Sequence, residues 1–354
     1  MRIAQVAPLN EAVPPKLYGG TERVVHYLTE ELVRMGHDVT LFASGDSETT
    51  ARLIPCCPRA LRLDPGCEDP VVHHILQLEA VMDQADEFDV VHVHVDYLHF
   101  PWARRSPTPV LTTLHGRQNI PDYGPLYDQF SDLPLVSISH SQRRPQPHAN
   151  WFGTVYHGLP EDLLTPTFTP GSYLAFLGRF SPEKGFDRAV EIARRTGLPL
   201  KAAAKKDPRD SAYFDAVVGD LLDDPLVEWI GEIGEGDKAT FLGGAIAHLF
   251  PIDWPEPFGL VMTEAMACGT PTIAWACGSV PEIIENGVSG FIVSSIEEAV
   301  TAVDACRQLD RGRCRDAFER RFSARRMAAD YVMLYRGLVA SRRPPLRPAV
   351  GGLT

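Results

Sequence analysis

The chain lacks several things, and each absence narrows what it can be. No apolar run approaches the ~18–20 residues that a membrane-spanning helix needs, so none is expected. Cysteine is sparse: there are seven, and no two form a Cys-x-x-Cys pair. Cys56 and Cys57 are adjacent, a spacing unlike that of metal sites, and the odd, scattered set reads as reduced thiols. Excess positive charge is absent. The net charge is −12 over 354 residues, which argues against general electrostatic binding to nucleic acid. Residues 1–166 carry 12 Lys and Arg against 21 Asp and Glu, a net of −9, leaving −3 for the remainder. An acidic first half disfavours stable docking on anionic lipid. No Asp-x-Asp pair or His/Cys cluster stands beside a candidate phosphate loop, so no divalent metal and no cofactor is expected. The full Gly-x-Gly-x-x-Gly pattern is missing too, which argues against a dinucleotide site in the first half. No signal-peptide pattern precedes the opening run Arg2-Ile3-Ala4-Gln5-Val6-Ala7, so a cytoplasmic location is expected.

What is present is an ordinary globular composition, 44% hydrophobic and 23% charged, at a length that suggests about two domains. Apolar strands alternate with helical segments. In the first half, strands are predicted at 2–7, 38–43, 89–95, 110–114, 134–138 and 153–156. Helices are predicted there at 21–35, 73–85 and 125–130. Runs such as Val90-Val91-His92-Val93-His94-Val95 suit parallel strands buried on both faces. A Pro-rich linker covers 159–171, and the alternation then restarts. Strands are predicted at 173–177, 200–204, 226–230, 246–250 and 272–275. The helices between them are predicted at 186–196, 209–222, 235–243 and 258–268, with final helices near 296–308 and 323–339. Two successive runs of this kind predict an α/β protein of two facing doubly wound domains, 1–165 and 166–322.

The chemistry concentrates in a few segments. Pro255-Glu256-Pro257-Phe258-Gly259-Leu260-Val261-Met262-Thr263-Glu264 places one glutamate on a loop and the second on the helix that follows. Ligands of open α/β sheets bind at the carboxyl ends of strands. Backbone N–H groups at a helix start, here around Phe258, Gly259 and Leu260, suit polar or anionic ligand atoms. Ionised carboxylates are pure acceptors and suit hydroxyl-rich ligands. In Tyr173-Leu174-Ala175-Phe176-Leu177-Gly178-Arg179-Phe180-Ser181-Pro182-Glu183-Lys184-Gly185, a strand runs into a turn bearing Arg179 and Lys184, and a helix then begins. Two cations beside a helix start suit a diphosphate. Gly19-Gly20-Thr21-Glu22-Arg23 opens the first helix, where paired glycines let backbone approach an oxygen-rich group. His115-Gly116 ends a strand at the ligand edge of its sheet. Other histidines read as structural: His92 and His94 share one face of a buried strand, and His73-His74 are expected on a solvated helix face. His157 is placed at the border of the cleft.

In this order, Gly19-Gly20-Thr21-Glu22-Arg23, His115-Gly116, Gly178-Arg179-Phe180-Ser181-Pro182-Glu183-Lys184-Gly185 and Glu256…Glu264 resemble the family-4 retaining glycosyltransferases of the GT-B fold, over nearly the whole chain from Arg2 to about Leu338. The resemblance implies transfer of a hexose from a UDP- or GDP-sugar to an acceptor, with retention and without metal. It implies that Gly19 and Gly20 meet the donor diphosphate and His115 the transferred sugar. It places the backbone around Glu232-Ile233 beside the base, Glu256 on the sugar hydroxyls and Glu264 on the ribose. It also implies that a last helix, 323–340, crosses back to the first domain; the basic, Pro-rich residues beyond it predict a flexible tail, 341–354. The donor's base, the sugar, the acceptor and the oligomeric state are not readable. Two other readings keep the same fold: a nucleotide-sugar epimerase or hydrolase, and a non-catalytic nucleotide-sugar-binding module.

Overall fold

A computed structural model describes residues 1–16 and 19–342. Leu17 and Tyr18 of the first Gly-rich loop, and residues 343–354 of the expected tail, lie outside the described residues; Ser341 and Arg342, also expected in the tail, belong to the last helix. Thirteen strands are described, arranged in two sheets. The first holds β1 (Arg2–Val6), β2 (Asp38–Ser44), β3 (Arg52–Cys57), β4 (Val90–Val93), β5 (Val110–Thr113), β6 (Leu135–Ser137) and β7 (Trp151–Thr154), in the order β3-β2-β1-β4-β5-β6-β7. The second holds β8 (Tyr173–Arg179), β9 (Leu200–Lys205), β10 (Val227–Gly231), β11 (Ala245–Phe250), β12 (Thr272–Trp275) and β13 (Gly290–Val293), in the order β10-β9-β8-β11-β12-β13. Every pairing is parallel. Helices cover both faces, so the central strands are apolar throughout: all four residues of β4 and all six of β11 are buried.

Each sheet reverses its strand order once, between β1 and β4 in the first and between β8 and β11 in the second. A crevice forms where the connections leave in opposite directions, and ligands settle there. The two reversals set the position of everything that follows.

Departures from the sequence-based expectations have local causes. Strand β3 was not expected, because Pro55 interrupts it; it survives as an edge strand, where a missing N–H is tolerated. Strand β13, at the opposite edge of the second sheet, and the helix Arg311–Phe322 were also not expected. That helix is rich in arginine, yet Arg311 and Arg315 are buried. Their guanidinium groups donate to backbone carbonyls, Arg311 to Ala245 at 2.8 Å and Arg315 to Ala267 at 2.6 Å. The second helix runs Pro70–Asp83, earlier than the predicted 73–85, because the Asp69 carboxylate accepts from Val71 N–H at 2.9 Å and Pro70 fits the first helical position. Segment 209–222 is broken by a wider turn at Phe214–Val218.

The last helix, Ala324–Arg342, leaves the second half and packs on the first sheet and the helix Gly20–Arg34. Buried polar groups fix it there. The Tyr335 hydroxyl bonds Gln5 at 3.1 Å and His92 at 2.7 Å, and the Tyr331 hydroxyl bonds Thr113 at 2.9 Å. Glu282, in the second half, accepts from the backbone N–H of His140 and Ser141, both at 2.7 Å, and from the Tyr156 hydroxyl at 3.0 Å. The seam between the halves is therefore directional as well as apolar.

Candidate active site

Between the two sheets lies a cleft of about 1310 Å³. Gly19, Gly20, His115, Arg179, Lys184, Glu232, Ile233, Glu256, Phe258, Gly259, Leu260 and Glu264, the residues singled out from sequence, all line it. Among the described residues, no helix is long and apolar enough to cross a membrane, and no cluster of His, Cys, Asp and Glu forms a metal cage.

The wall from the second sheet is made of ion pairs. β8 ends at Arg179, and the turn Pro182–Lys184 follows. Gly185 closes that turn at φ +69; a Cβ there would stand 2.2 Å from the Pro251 carbonyl oxygen, so only glycine lets this loop touch the one after β11. The contact brings Lys184 Nζ to 2.5 Å from Glu256 Oε2. Trp254 Nε1 donates to the same oxygen at 3.1 Å, and its ring lies 5.1 Å from the Lys184 ammonium. Arg179 is held by Glu183 at 2.8 Å and Asp210 at 3.1 Å. The cations expected for a diphosphate thus come already oriented by carboxylates, and an incoming anion must share or displace those partners.

Gly259, at φ +80, caps the helix Leu260–Ala267, which begins two residues later than expected. Glu264 therefore lies just over one turn in, where the predicted start at 258 would have put it nearly two turns in. It is buried, and Lys238 Nζ donates to its Oε1 at 2.6 Å. Lys238 also approaches Glu235 at 3.9 Å, and Glu235 pairs with Arg23 of the first half. This chain of charges crosses the cleft. Sequence reasoning missed Lys238, Glu235, Asp210 and Trp254. Lys238 and Glu264 are 26 residues apart, and no local pattern links them.

The wall from the first sheet is largely neutral. His115 Nε2 lies 2.9 Å from His94 Nδ1, and His94 Nε2 lies 2.9 Å from Gln5 Oε1. The amide oxygen only accepts, so His94 Nε2 carries the proton. Its Nδ1 then accepts from His115 Nε2–H. Burial pushes the His115 ring down to about 3 and holds His94 well below its usual value, with other histidines adding to the effect on His94. His157 stacks on His115 with centroids 5.2 Å apart, and it lines the cleft as expected. His92 bonds Tyr335 and Thr113 within the same network. His74 corrects an expectation: it is buried, not solvated, because its Nε2 accepts from Leu9 N–H at 3.1 Å while Nδ1 donates to the Pro70 carbonyl at 2.7 Å. His73 beside it is half-buried.

Gly19 is buried and Gly20 exposed at the start of the helix Gly20–Arg34. A Cβ at Gly20 would stand 3.7 Å from Leu260 Cδ1, so this turn faces the helix start of the other half. Glu22, two residues on, lines the cleft but is buried. Desolvation, with the nearby Glu11 charge, raises its carboxyl to about 7. Glu232 is exposed and Ile233 half-buried in the loop after β10.

Residues 166–313 match a family described as glycosyl transferases group 1, and residues 18–157 match glycosyltransferase family 4. A D-inositol 3-phosphate glycosyltransferase of Mycolicibacterium gilvum is 33% identical over 339 residues, spanning 79% of this chain and 74% of the relative. The chain belongs to the family-4 glycosyltransferases. Solved structures agree on the fold. AviGT4, a glycosyltransferase involved in avilamycin A biosynthesis, superposes with a TM-score of 0.73 at 24% identity, covering 96% of this chain and 98% of that one. HepE of Anabaena, crystallised with UDP and glucose, superposes with a TM-score of 0.70 at 15% identity, covering 94% and 98%. The architecture is GT-B, two Rossmann-like sheets facing across a cleft.

Proposed function

We propose that this glycosyltransferase moves a hexose from a nucleoside diphosphate sugar to an acceptor hydroxyl, with retained anomeric configuration and without a metal ion. One observation carries the reading. Arg179 and Lys184 stand at the ligand edge of one strand, Glu256 and Glu264 follow its neighbour across the strand-order reversal, and all four line a single cleft. Departure of a nucleoside diphosphate builds negative charge on phosphate oxygens. Arg179, Lys184 and the amides at the start of the helix Leu260–Ala267 are placed to stabilise it in the transition state. Glu256, held by Lys184 and Trp254, takes the sugar hydroxyls, and Glu264, held by Lys238, takes the ribose hydroxyls. The ring of His115 is neutral, so it faces the sugar as a dipole and not as a cation. Departure and attack on the same face account for retention. The first domain, 1–165, is assigned to the acceptor side and 166–322 to the donor.

UDP is the favoured nucleotide, since HepE was crystallised with UDP and glucose. The test is a panel of UDP-, GDP- and ADP-sugars in thermal shift, run in EDTA, followed by product analysis with and without acceptors. The preferred donor raises Tm through binding linkage, by about 2.7 kcal/mol of stability at a hundredfold excess over Kd. Transfer that needs added magnesium or manganese would overturn metal independence. Donor turnover that gives only free sugar or an epimer would favour a hydrolase or epimerase.

A further inference from the structure

Asp96 lies three residues beyond the end of β4, at the strand-order reversal of the first sheet, and lines the cleft with His94 and Val95. Its backbone is unusual. At φ +51 it is the only non-glycine residue with positive φ among those described. The left-handed conformation costs an L-residue roughly 1–2 kcal/mol, and glycine would occupy it freely. The position therefore carries a carboxylate where only glycine would be clearly less strained. Such outliers gather at ligand sites, and here the inference runs from the outlier to the site.

The carboxylate is also without company. Glu256, Glu264, Glu11 and Asp46 all have cationic partners. Asp96 has no hydrogen bond or ion pair among the described residues, and its side chain is open to the cleft. The walls nonetheless desolvate it, which raises its carboxyl above the usual range. The groups around it are Tyr123 and Tyr127, whose phenols feel its charge, the adjoining Tyr97, and Arg117, which lines the same cleft while donating to Asn119 at 2.7 Å. Tyr97 is exposed and meets Tyr123 edge to face, with centroids 5.6 Å apart. A desolvated acceptor group beside an exposed aromatic ring suits one ligand class: a neutral, ring-shaped polyol, whose hydroxyls donate to the carboxylate and whose C–H face lies on the ring.

We propose that Asp96 is the acceptor-recognition residue, binding the hydroxyls of a neutral sugar or cyclitol. The proposal rests on the glycosyl-transfer reading and names its acceptor class. It places no proton transfer on Asp96.

The experiment uses the full chain, with D-glucose and myo-inositol as probes and their monophosphates as competitors. Binding is followed by saturation-transfer NMR and calorimetry, with and without saturating UDP. Asp96→Asn keeps the shape and tolerates the left-handed backbone; Asp96→Gly keeps the backbone alone. At least one neutral polyol should bind the wild type, and both variants should weaken it tenfold or more. UDP affinity should stay within twofold and Tm should not fall. The idea is overturned if neither neutral polyol binds the wild type, if only the phosphorylated probes bind, or if the variants bind polyol normally. A parallel loss of UDP and polyol affinity in Asp96→Asn also overturns it, since that marks a structural role. Failure of UDP to bind the wild type would instead strike the donor reading, and the arm without UDP would still test Asp96.

Discussion

The two walls of the cleft share a strand order and differ in their electrostatics. In both sheets the site sits where the order reverses, next to β1 and β4 in one and β8 and β11 in the other. The second-sheet wall is a set of tight ion pairs: Lys184 with Glu256, Arg179 with Glu183 and Asp210, Lys238 with Glu264. Around His115 the first-sheet wall is instead a relay of neutral rings and hydroxyls: His115, His94, Gln5, Tyr335. The same topology carries two kinds of wall: charge on the side where the proposed reaction places the departing diphosphate, and dipoles on the side where it places the sugar. Topology supplies a location, and the loops supply the chemistry.

Breaking the charged wall should cost most. Arg179→Ala or Lys184→Ala should lower turnover by roughly two to three orders of magnitude, as for other lost transition-state donors. Near-normal rates in both variants would remove the diphosphate assignment.

The next largest effect belongs to Glu22, the titrating group at the edge of the neutral wall. Its carboxyl is raised from 4.5 to about 7 by desolvation and then by the Glu11 charge. An acid with a raised folded pKa binds its proton more tightly when folded. Stability from this group is therefore complete below pH 4.5 and is lost as pH rises through 7, by up to about 3 kcal/mol. Denaturation at pH 5 and pH 8 should show Glu22→Gln closing much of that gap. An unchanged gap would mean that Glu22 is solvated in the folded protein.

Within the charged wall the two glutamates should separate. Glu264→Gln should weaken free nucleoside diphosphate by about 1.5–3 kcal/mol, the range for a hydrogen bond to a charged group. Glu256→Gln should leave that affinity alone and reduce turnover. Calorimetry with UDP decides between them, and the opposite pattern would reverse the roles.

The smallest effect tests the relay. Tyr335→Phe deletes bonds to Gln5 and His92 and should lower stability by about 1–2 kcal/mol with UDP affinity intact. A selective loss of UDP affinity would instead couple the neutral wall to the nucleotide.

Local patterns made half of this comparison readable in advance. Arg179, Lys184, Glu256 and Glu264 sit in short segments whose strand, turn and helix signals are contiguous, so their edge positions followed from sequence. Their partners did not. Lys184 and Glu256 are 72 residues apart, and His92 and Tyr335 are 243 apart. No periodicity encodes such pairings. His74 was misread for the same reason: its helix face looked polar, and its partner, the Leu9 N–H, is 65 residues away. Edge strand β3 escaped because edges tolerate a proline that central strands do not, and β13 because it is only four residues long and opens on Gly290.

The crossing helix has a consequence for anyone wishing to recombine these proteins. A chimera cut at the linker, near residue 166, would separate the first sheet from Tyr331 and Tyr335, the hydroxyls that satisfy Thr113, His92 and Gln5. The transplanted piece would carry polar groups that have lost a partner, the Gln5 amide N–H and His92 Nδ1 among them. An exchange that respects the molecule has two joints: one in the linker and one before Ala324, so that the final helix travels with the sheet it completes.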